Sequence, residues 1–273
     1  MNPKKSQPSL LEHGRKIGQN IEWRFSRHKV IDMSNAVARE LAPTGVLRVA
    51  INLANFLLVT GAKENGEPTG VSPDLAASIA KALKVEISYV GFNRPGELAD
   101  AVADNTWDIG LIAAEPARAQ HIDFTAAYVE IEATYLVAGD SLIQKIKDVD
   151  QAGVRIAVAA RSAYDLYLTR HLQHAELVRA EGLDESFDLF VREQLDALAG
   201  LKPRLLSDVE RIENARILEG RFTAVQQAIG IPSGRPVGFA YLCEYVESAK
   251  ASGLIAELIT RHGVKGLSVA PPE

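Results

Sequence analysis

Hydrophobic residues in this chain alternate between short continuous runs and stretches spaced three to four apart. Continuous runs of this length read as buried strands and the spaced ones as amphipathic helices. From residue 47 the order is regular. Leu47–Ile51 predicts a strand and Phe56–Thr60 a second. Lys63–Gly70 is turn chemistry, with Asn65-Gly66 at a hairpin tip. Ser72 is placed to cap a helix that has Pro73 in its first position and Leu75, Ile79, Ala82 and Leu83 at helical spacing. Val85–Val90 predicts a strand, and Pro95 opens a helix with Leu98, Ala101 and Val102 on one face. Asp108–Ile112 predicts the next strand. The apolar run stops at Glu115-Pro116, where a helix or a turn must begin, and Arg118 falls just inside it.

After an extended apolar run, Tyr128–Val137, and the punctuation of Gly139-Asp140, the pattern restarts. Val154–Ala159 is a strand, Ser162 caps a helix from Ala163 to about Leu172, and Leu177–Arg179 is a short strand. Asp184–Arg192 is a helix and Leu195–Ala199 a strand. Lys202-Pro203 opens a short helix, Ala215–Leu218 is a small strand, and Phe222–Ile231 is extended and apolar. Pro236–Ser252 and Leu254–His262 are helices ended by Gly253 and by Gly263 with Gly266. Strand–helix–strand–helix–strand, written twice, specifies an α/β protein: two doubly wound α/β lobes joined by two hinge crossings of extended chain, with a cleft between them. The expected division is an N-terminal helical extension over 1–45, one lobe from 46–136 and 226–273, and the other from 137–225. In the extension, Gln19–Phe25 and Val30–Leu41 are expected to form short amphipathic helices, with Ile31, Met33, Val37 and Leu41 on one side of the second. Packing on the body, capping a dimer and mobility are all open to that segment.

Composition narrows the partners. The 273 residues are 47% hydrophobic and 24% charged, with a net charge of -5 and pI near 5.8. That balance argues against a general nucleic-acid binder, which needs a basic face. The single cysteine, Cys243, excludes an internal disulfide and a Cys-rich metal site. No apolar stretch is long enough to span or insert into a membrane. The first residues, with Lys4 and Lys5 but no apolar segment behind them, do not have the form of a secretory signal.

Arg118 is the leading candidate for ligand chemistry. A guanidinium at the end of a parallel strand suits a carboxylate; the competing reading is a surface residue paired with Glu115 or Asp123. Asn52 and Asn55, at a strand end and in its loop, are ligand donors or ordinary loop residues. His171 and His174 have no acidic or thiol partner in the sequence, so a metal site is not expected. No nucleophile elbow, phosphate-binding loop, dinucleotide fingerprint or zinc motif occurs, and no cofactor is expected.

Several stretches carry a resemblance: L-R-V-A-I-N at 47–52, N-G-E-P-T-G-V-S-P-D-L-A at 65–76, W-D-I-G-L-I at 107–112 and R-A-Q-H-I-D-F-T-A-A-Y at 118–128, with Val154–Asp165 and Leu195–Gly200 in the second unit. Over about 46–265 the chain resembles the family 3 solute-binding proteins of ABC importers, the amino-acid-binding branch of the type II periplasmic binding fold. The resemblance implies that Arg118 pairs with a ligand α-carboxylate and that the helix start at Ser162-Ala163 adds donors to it. The chain departs from the family pattern in several places. Ala113 and Glu115 stand where the family has hydroxyl residues. Asn55, with Phe56 next, stands where it has an aromatic lip. Gly70-Val71-Ser72 replaces its G-F-D. Leu201, flanked by Lys202 and Arg204, stands where it has the acid that holds the ligand's amino group. Lys202 then becomes a candidate for a second anionic contact.

The expectation is a non-enzymatic protein that closes on a small anionic, carboxylate-bearing metabolite, amino-acid-like or another organic acid, and serves an ABC permease. Two alternatives stay open: a dehydratase-type enzyme using Glu115, and a cytoplasmic ligand sensor. The compartment is unsettled, since the family is periplasmic and the N-terminus lacks a signal.

Overall fold

The computed structural model describes residues 35–273. Residues 35–41 are helical (α1), with Val37 and Leu41 buried as the periodicity predicts; the helix expected over Gln19–Phe25 and the first part of Val30–Leu41 lie outside the described residues. The elements then run β1 (Val46–Asn52), β2 (Gly61–Ala62), β3 (Pro68–Thr69), α2 (Val71–Leu83), β4 (Glu86–Phe92), α3 (Pro95–Asp100), β5 (Ile109–Ala113) and β6 (Ile122–Ala138). They continue with β7 (Arg155–Ala159), α4 (Ala163–His171), β8 (Glu176–Ala180), α5 (Leu183–Arg192), β9 (Ala197–Leu201), α6 (Lys202–Val209), β10 (Ala215–Ile217) and β11 (Thr223–Pro232). α7 (Pro236–Ala251), α8 (Leu254–Arg261) and β12 (Ser268–Val269) complete the chain.

One sheet carries both halves of the molecule. Its main path is β4-β1-β5-β11-β6-β9-β7-β8, with β10 and β12 added to β6. β4, β1 and β5 are mutually parallel, as are β8, β7 and β9. Between these triplets run β6 and β11, the two extended crossings, antiparallel to each other from Thr223↔Ala133 to Pro232↔Ile122. Apolar clusters cover each triplet: Leu47, Ile51, Leu75 and Ile79 belong to the first half, and Ile156, Val158, Leu168 and Ala199 to the second.

The same side-chain staple starts both parallel units. Arg48 backbone N–H donates to Asp108 Oδ2 (3.0 Å) while Asp108 N–H returns a bond to the Arg48 carbonyl (2.8 Å). In the second unit Arg155 N–H donates to Asp196 Oδ2 (2.7 Å) and Asp196 N–H to the Arg155 carbonyl (3.0 Å). An aspartate just before the third strand thus locks it to the first strand in each half. The Asp108 copy is fully buried, so its charge needs partners, and both Arg48 (2.8 Å) and Arg235 (3.4 Å) supply them.

The structure corrects three local expectations and decides a fourth. Phe56–Thr60 is a turn, not a strand: Leu57 and Leu58 are buried because the loop packs on the core, and the Leu58 and Val59 amides both donate to the Asn55 carbonyl. Ser72 does not cap α2. Gly70 does, at φ 143°, where a Cβ would collide with the Leu58 carbonyl, and Ser72 Oγ instead bonds the buried Tyr128 hydroxyl at 2.8 Å. Of the two alternatives open at Pro116, a helix or a turn, the chain takes turns, because β6 begins at Ile122 and leaves no length for a helix. The strand expected at Leu195–Ala199 runs from Ala197, since Gln194 takes a left-handed conformation and Asp196 is used by the staple.

Candidate functional site

The carboxyl ends of all six parallel strands open onto one cavity of about 520 Å³. β1 delivers Asn52, Asn55 and Phe56; β4 delivers Asn93 and Arg94; β5 delivers Ala113 and, one turn later, Arg118. β7 delivers Ser162, Ala163 and Tyr164, β8 delivers Glu181 to Glu185, and β9 delivers Leu201 and Arg204. Open α/β sheets bind ligands beyond these strand ends because the following helix N-termini leave amides unpaired there. Ser162 caps α4 by accepting from Asp165 N–H at 3.1 Å, as expected of it. The first amides of α4, at Ala163 and Tyr164, precede any intrahelical acceptor and find none elsewhere among the described residues. The crossing β11 adds Val225 and Gln227, two residues apart on one face. Gln227 sits at a register shift of β11 against β6, a bulge that re-aims its side chain.

Arg118 lies in the wall between the two halves and is only 6% exposed. Its Nη1 donates to the Ala113 carbonyl (2.7 Å) on the first half, and Nη2 to the Arg161 carbonyl (3.0 Å) on the second. Among the described residues it has no carboxylate within 4 Å. Burial pushes its pKa down to about 10; Glu115 partly opposes this and the Arg161 charge adds to it. A second, smaller crevice of about 300 Å³ is also lined by Arg118, with His121, Asp100 and Arg161 in its wall.

Of the residues singled out in the sequence, Asn52, Asn55, Phe56, Ala113, Arg118, Ser162 and Ala163 share this cavity. Glu115 and Lys202 are not in its wall. The Glu115 carboxylate meets Arg170 of α4 at 2.6 Å, an ion pair by distance though not by hydrogen-bond direction, and Lys202 Nζ donates to Glu132 at 2.9 Å. Lys202 therefore does not supply a cation to the cavity. Arg204 lines it instead, held by Asp208 (2.9 Å) and Asp184 (2.6 Å). Lys202 and Arg204 both flank Leu201 in sequence, and only the phase of the short α6 decides which one faces inward. Gln227 carried no signal at all, because sequence alternation does not say which face of an antiparallel crossing looks into the cleft.

Among the described residues, three ion pairs bridge the halves without involving the crossing strands. Arg161 binds Asp100 through both terminal nitrogens (2.8 and 2.6 Å), Arg94 reaches Glu181 (2.6 Å), and Arg170 reaches Glu115. Arg94 and Glu181 lie in the cavity wall itself. The guanidinium of Arg161 holds Asp100 below the ordinary carboxylate range.

The architecture is shared with proteins of known structure. An ancestral amino acid-binding protein, described as a precursor of cyclohexadienyl dehydratase, superposes with TM-score 0.66 at 22% identity over 81% of this chain and 96% of that one. A mutant of ArgBP from T. maritima gives 0.67 at 21% identity, covering 84% and 99%. AbpA of Streptococcus pneumoniae bound to L-arginine, an amino acid ABC transporter substrate-binding protein, gives 0.66 at 19%, covering 81% and 96%. In sequence, 113 residues are 26% identical to the amino-acid-binding protein AabA of Dichelobacter nodosus, a match to 41% of this chain and less than half (45%) of that protein. Residues 47–265 match a family profile, and the chain belongs to the bacterial extracellular solute-binding proteins, family 3.

Proposed function

We propose that this protein is a non-enzymatic solute receptor that closes its two halves on a small carboxylate-bearing metabolite and presents it to an ABC permease. One observation supports this most. Among the described residues three arginines line the cavity, of which Arg94 and Arg204 are each paired with carboxylates of the protein, whereas Arg118 is bound to two neutral carbonyls and to no carboxylate. A desolvated guanidinium with spare donors is favoured by a bidentate anion. The likeness to AabA and to ABC transporter receptors supports an amino-acid-like or related organic acid and the importer role. A hinge where β6 and β11 pass between the parallel triplets, dividing the chain near 136 and 226, is part of this proposal, and the course of the two crossings supports it. A dehydratase would need a cavity carboxylate poised for proton transfer, and Glu115 is turned to Arg170 instead.

A thermal-shift screen of amino acids, hydroxy acids, keto acids and dicarboxylates tests the reading. A true ligand at 100 times its Kd adds about 2.7 kcal/mol of stability. Carboxylates that raise Tm in the native chain and not in Arg118→Met would support it. A screen in which no carboxylate shifts Tm, or in which Arg118→Met binds as well, rejects it.

A further inference from the structure

Gln227 is the polar side chain that the two crossings bring to the cavity. Among the described residues β6 contributes nothing to its wall, and β11 contributes only Val225 and Gln227. Gln227 is 5% exposed, and its side chain makes no hydrogen bond among the described residues. Its neighbour Gln226, on the opposite face of the strand, shows what a structural amide does here: Gln226 Nε2 donates to Glu130 Oε1 at 2.9 Å. Asn55 Oδ1 is also buried without a partner, but it is sealed from solvent; neither polar atom of the Gln227 amide is sealed, so a molecule in the cavity can reach it. A glutamine amide has two donors and an acceptor, and native structures leave few such groups buried and unpaired without a reason.

The strand register places this amide relative to Arg118. β11 pairs with β5 at Gln227↔Ala113, and the pairing runs on unshifted to Gly230↔Gly110. Ala114 N–H donates to the Gln226 carbonyl at 2.8 Å, so the adjacent Ala113 and Gln227 form a non-hydrogen-bonded pair, with side chains on one face and Cα atoms about 4.5 Å apart. The Ala113 carbonyl therefore points away from β11, and there it accepts from Arg118 Nη1 at 2.7 Å. Arg118 and Gln227 thus stand on opposite sides of Ala113, whose side chain is a single methyl group in the same cavity wall. A carboxylate held on Arg118 sets the substituent of its adjacent carbon across that methyl group, toward the amide. We infer that Gln227 is a ligand contact that hydrogen-bonds a hydroxyl or amino group on the carbon next to the carboxylate, and so determines specificity for 2-substituted over unsubstituted acids. Glu181, Asp184 and Glu185, which come from the end of β8 and the start of α5, bear on the charge of the ligand; Gln227 bears on whether the second group is there. This rests on the carboxylate reading above and adds the second group and the residue that reads it.

The test is calorimetry on the full chain with matched sets that differ only at that group: 4-methylpentanoate, 2-hydroxyisocaproate and leucine; glutarate, 2-hydroxyglutarate and glutamate; 3-phenylpropionate, phenyllactate and phenylalanine. In the set that binds most tightly, at least one 2-substituted acid should bind about tenfold or more tightly than the unsubstituted acid. Gln227→Met, of similar length but without the amide, should weaken that 2-substituted acid by about the same factor and leave the unsubstituted one within about twofold. Gln227→Asn, which withdraws the amide by one methylene, should reduce the advantage and serves in place of the Met variant if that loses its native circular dichroism. Equal weakening of substituted and unsubstituted acids in the variants would show a packing role and overturn the inference, as would an advantage that neither variant changes. An unsubstituted acid that binds as tightly as both of its 2-substituted partners in every set, while still requiring Arg118, would overturn it too and leave the carboxylate reading standing. If no carboxylate binds, both readings fall together.

Discussion

At the scale of the residue, Arg118 is a wall residue in the position proposed for an anchor. Its two carbonyl contacts come from opposite halves, so it is fixed before any ligand arrives. Its pKa of about 10 states the cost of that burial: the folded protein binds the Arg118 proton less tightly than the unfolded chain does. The sign follows. With the folded pKa depressed, the penalty is fully present at neutral pH and is relieved as pH rises above about 10. Replacing Arg118 by Met removes the buried charge but strands two carbonyls, and these effects oppose each other. The ligand-free Tm of Arg118→Met should therefore stay within about 5 °C of the native value, a shift worth about 2–3 kcal/mol at this size, while the ligand-induced shift disappears. Affinity for a carboxylate should be level from pH 6 to 8.5 and fall as the arginine loses its proton above about 10; calorimetry across that range checks it. The sequence made Arg118 legible because a strand end, a proline and an arginine fall in order. It did not make Asn55 legible as an orphaned acceptor, since that is a property of what surrounds the side chain and not of the side chain itself.

At the scale of the element, apolar runs and capping residues located almost every strand and helix from 46 to 261, and erred where packing overrode local preference. Phe56–Thr60 has strand composition, yet its leucines serve a loop. Ser72 has the better capping side chain, but only Gly70 fits the backbone that passes the Leu58 carbonyl. That second case is testable. At φ 143° an L-residue is strained by about 1–3 kcal/mol even in open space, and here a Cβ also meets backbone that cannot turn aside. Gly70→Ala should thus lower the urea-unfolding free energy by more than about 2 kcal/mol, whereas Gly66→Ala, at a hairpin tip with open space around it, should cost less. The helix N-termini also carry the contacts between halves. Arg94 precedes α3 and Arg161 precedes α4, and each reaches an acid of the other half. Both pairs are largely solvent-exposed, so each contributes at most about 1 kcal/mol and is screened once the Debye length falls to about 3 Å near 1 M salt. In the ligand-free protein, Asp100→Asn combined with Glu181→Gln should raise the open population by up to about thirtyfold at low salt and weaken the salt dependence of opening, which Arg170–Glu115 still carries in part, read by a fluorescence pair across the cleft. Acid acts in the same direction. Asp100 is held below its usual 3.8, so its contribution is complete above that pH and is lost as pH falls through the depressed value.

At the scale of the whole molecule, two lobes with separate apolar clusters would ordinarily be free to unfold one after the other. The sheet argues otherwise. β6 is 17 residues long, pairs with β11 through both halves, and bonds β9 of the second triplet while β11 bonds β5 of the first. Neither parallel triplet can be removed without exposing a full edge of this shared pair, whose backbone groups would then lose their partners. Unfolding should therefore be a single cooperative event. Trp107 provides a local probe, fully buried in the first half with its indole N–H on the Leu98 carbonyl, and far-UV circular dichroism reports both halves. Their urea transitions should coincide in midpoint, and a carboxylate ligand that bridges the halves through Arg118 should move both by the same amount. A Trp107 transition separated from the circular dichroism midpoint, or a ligand that shifts only one of them, would show that the crossings act as a flexible hinge between independently stable lobes and not as the shared spine of one folding unit.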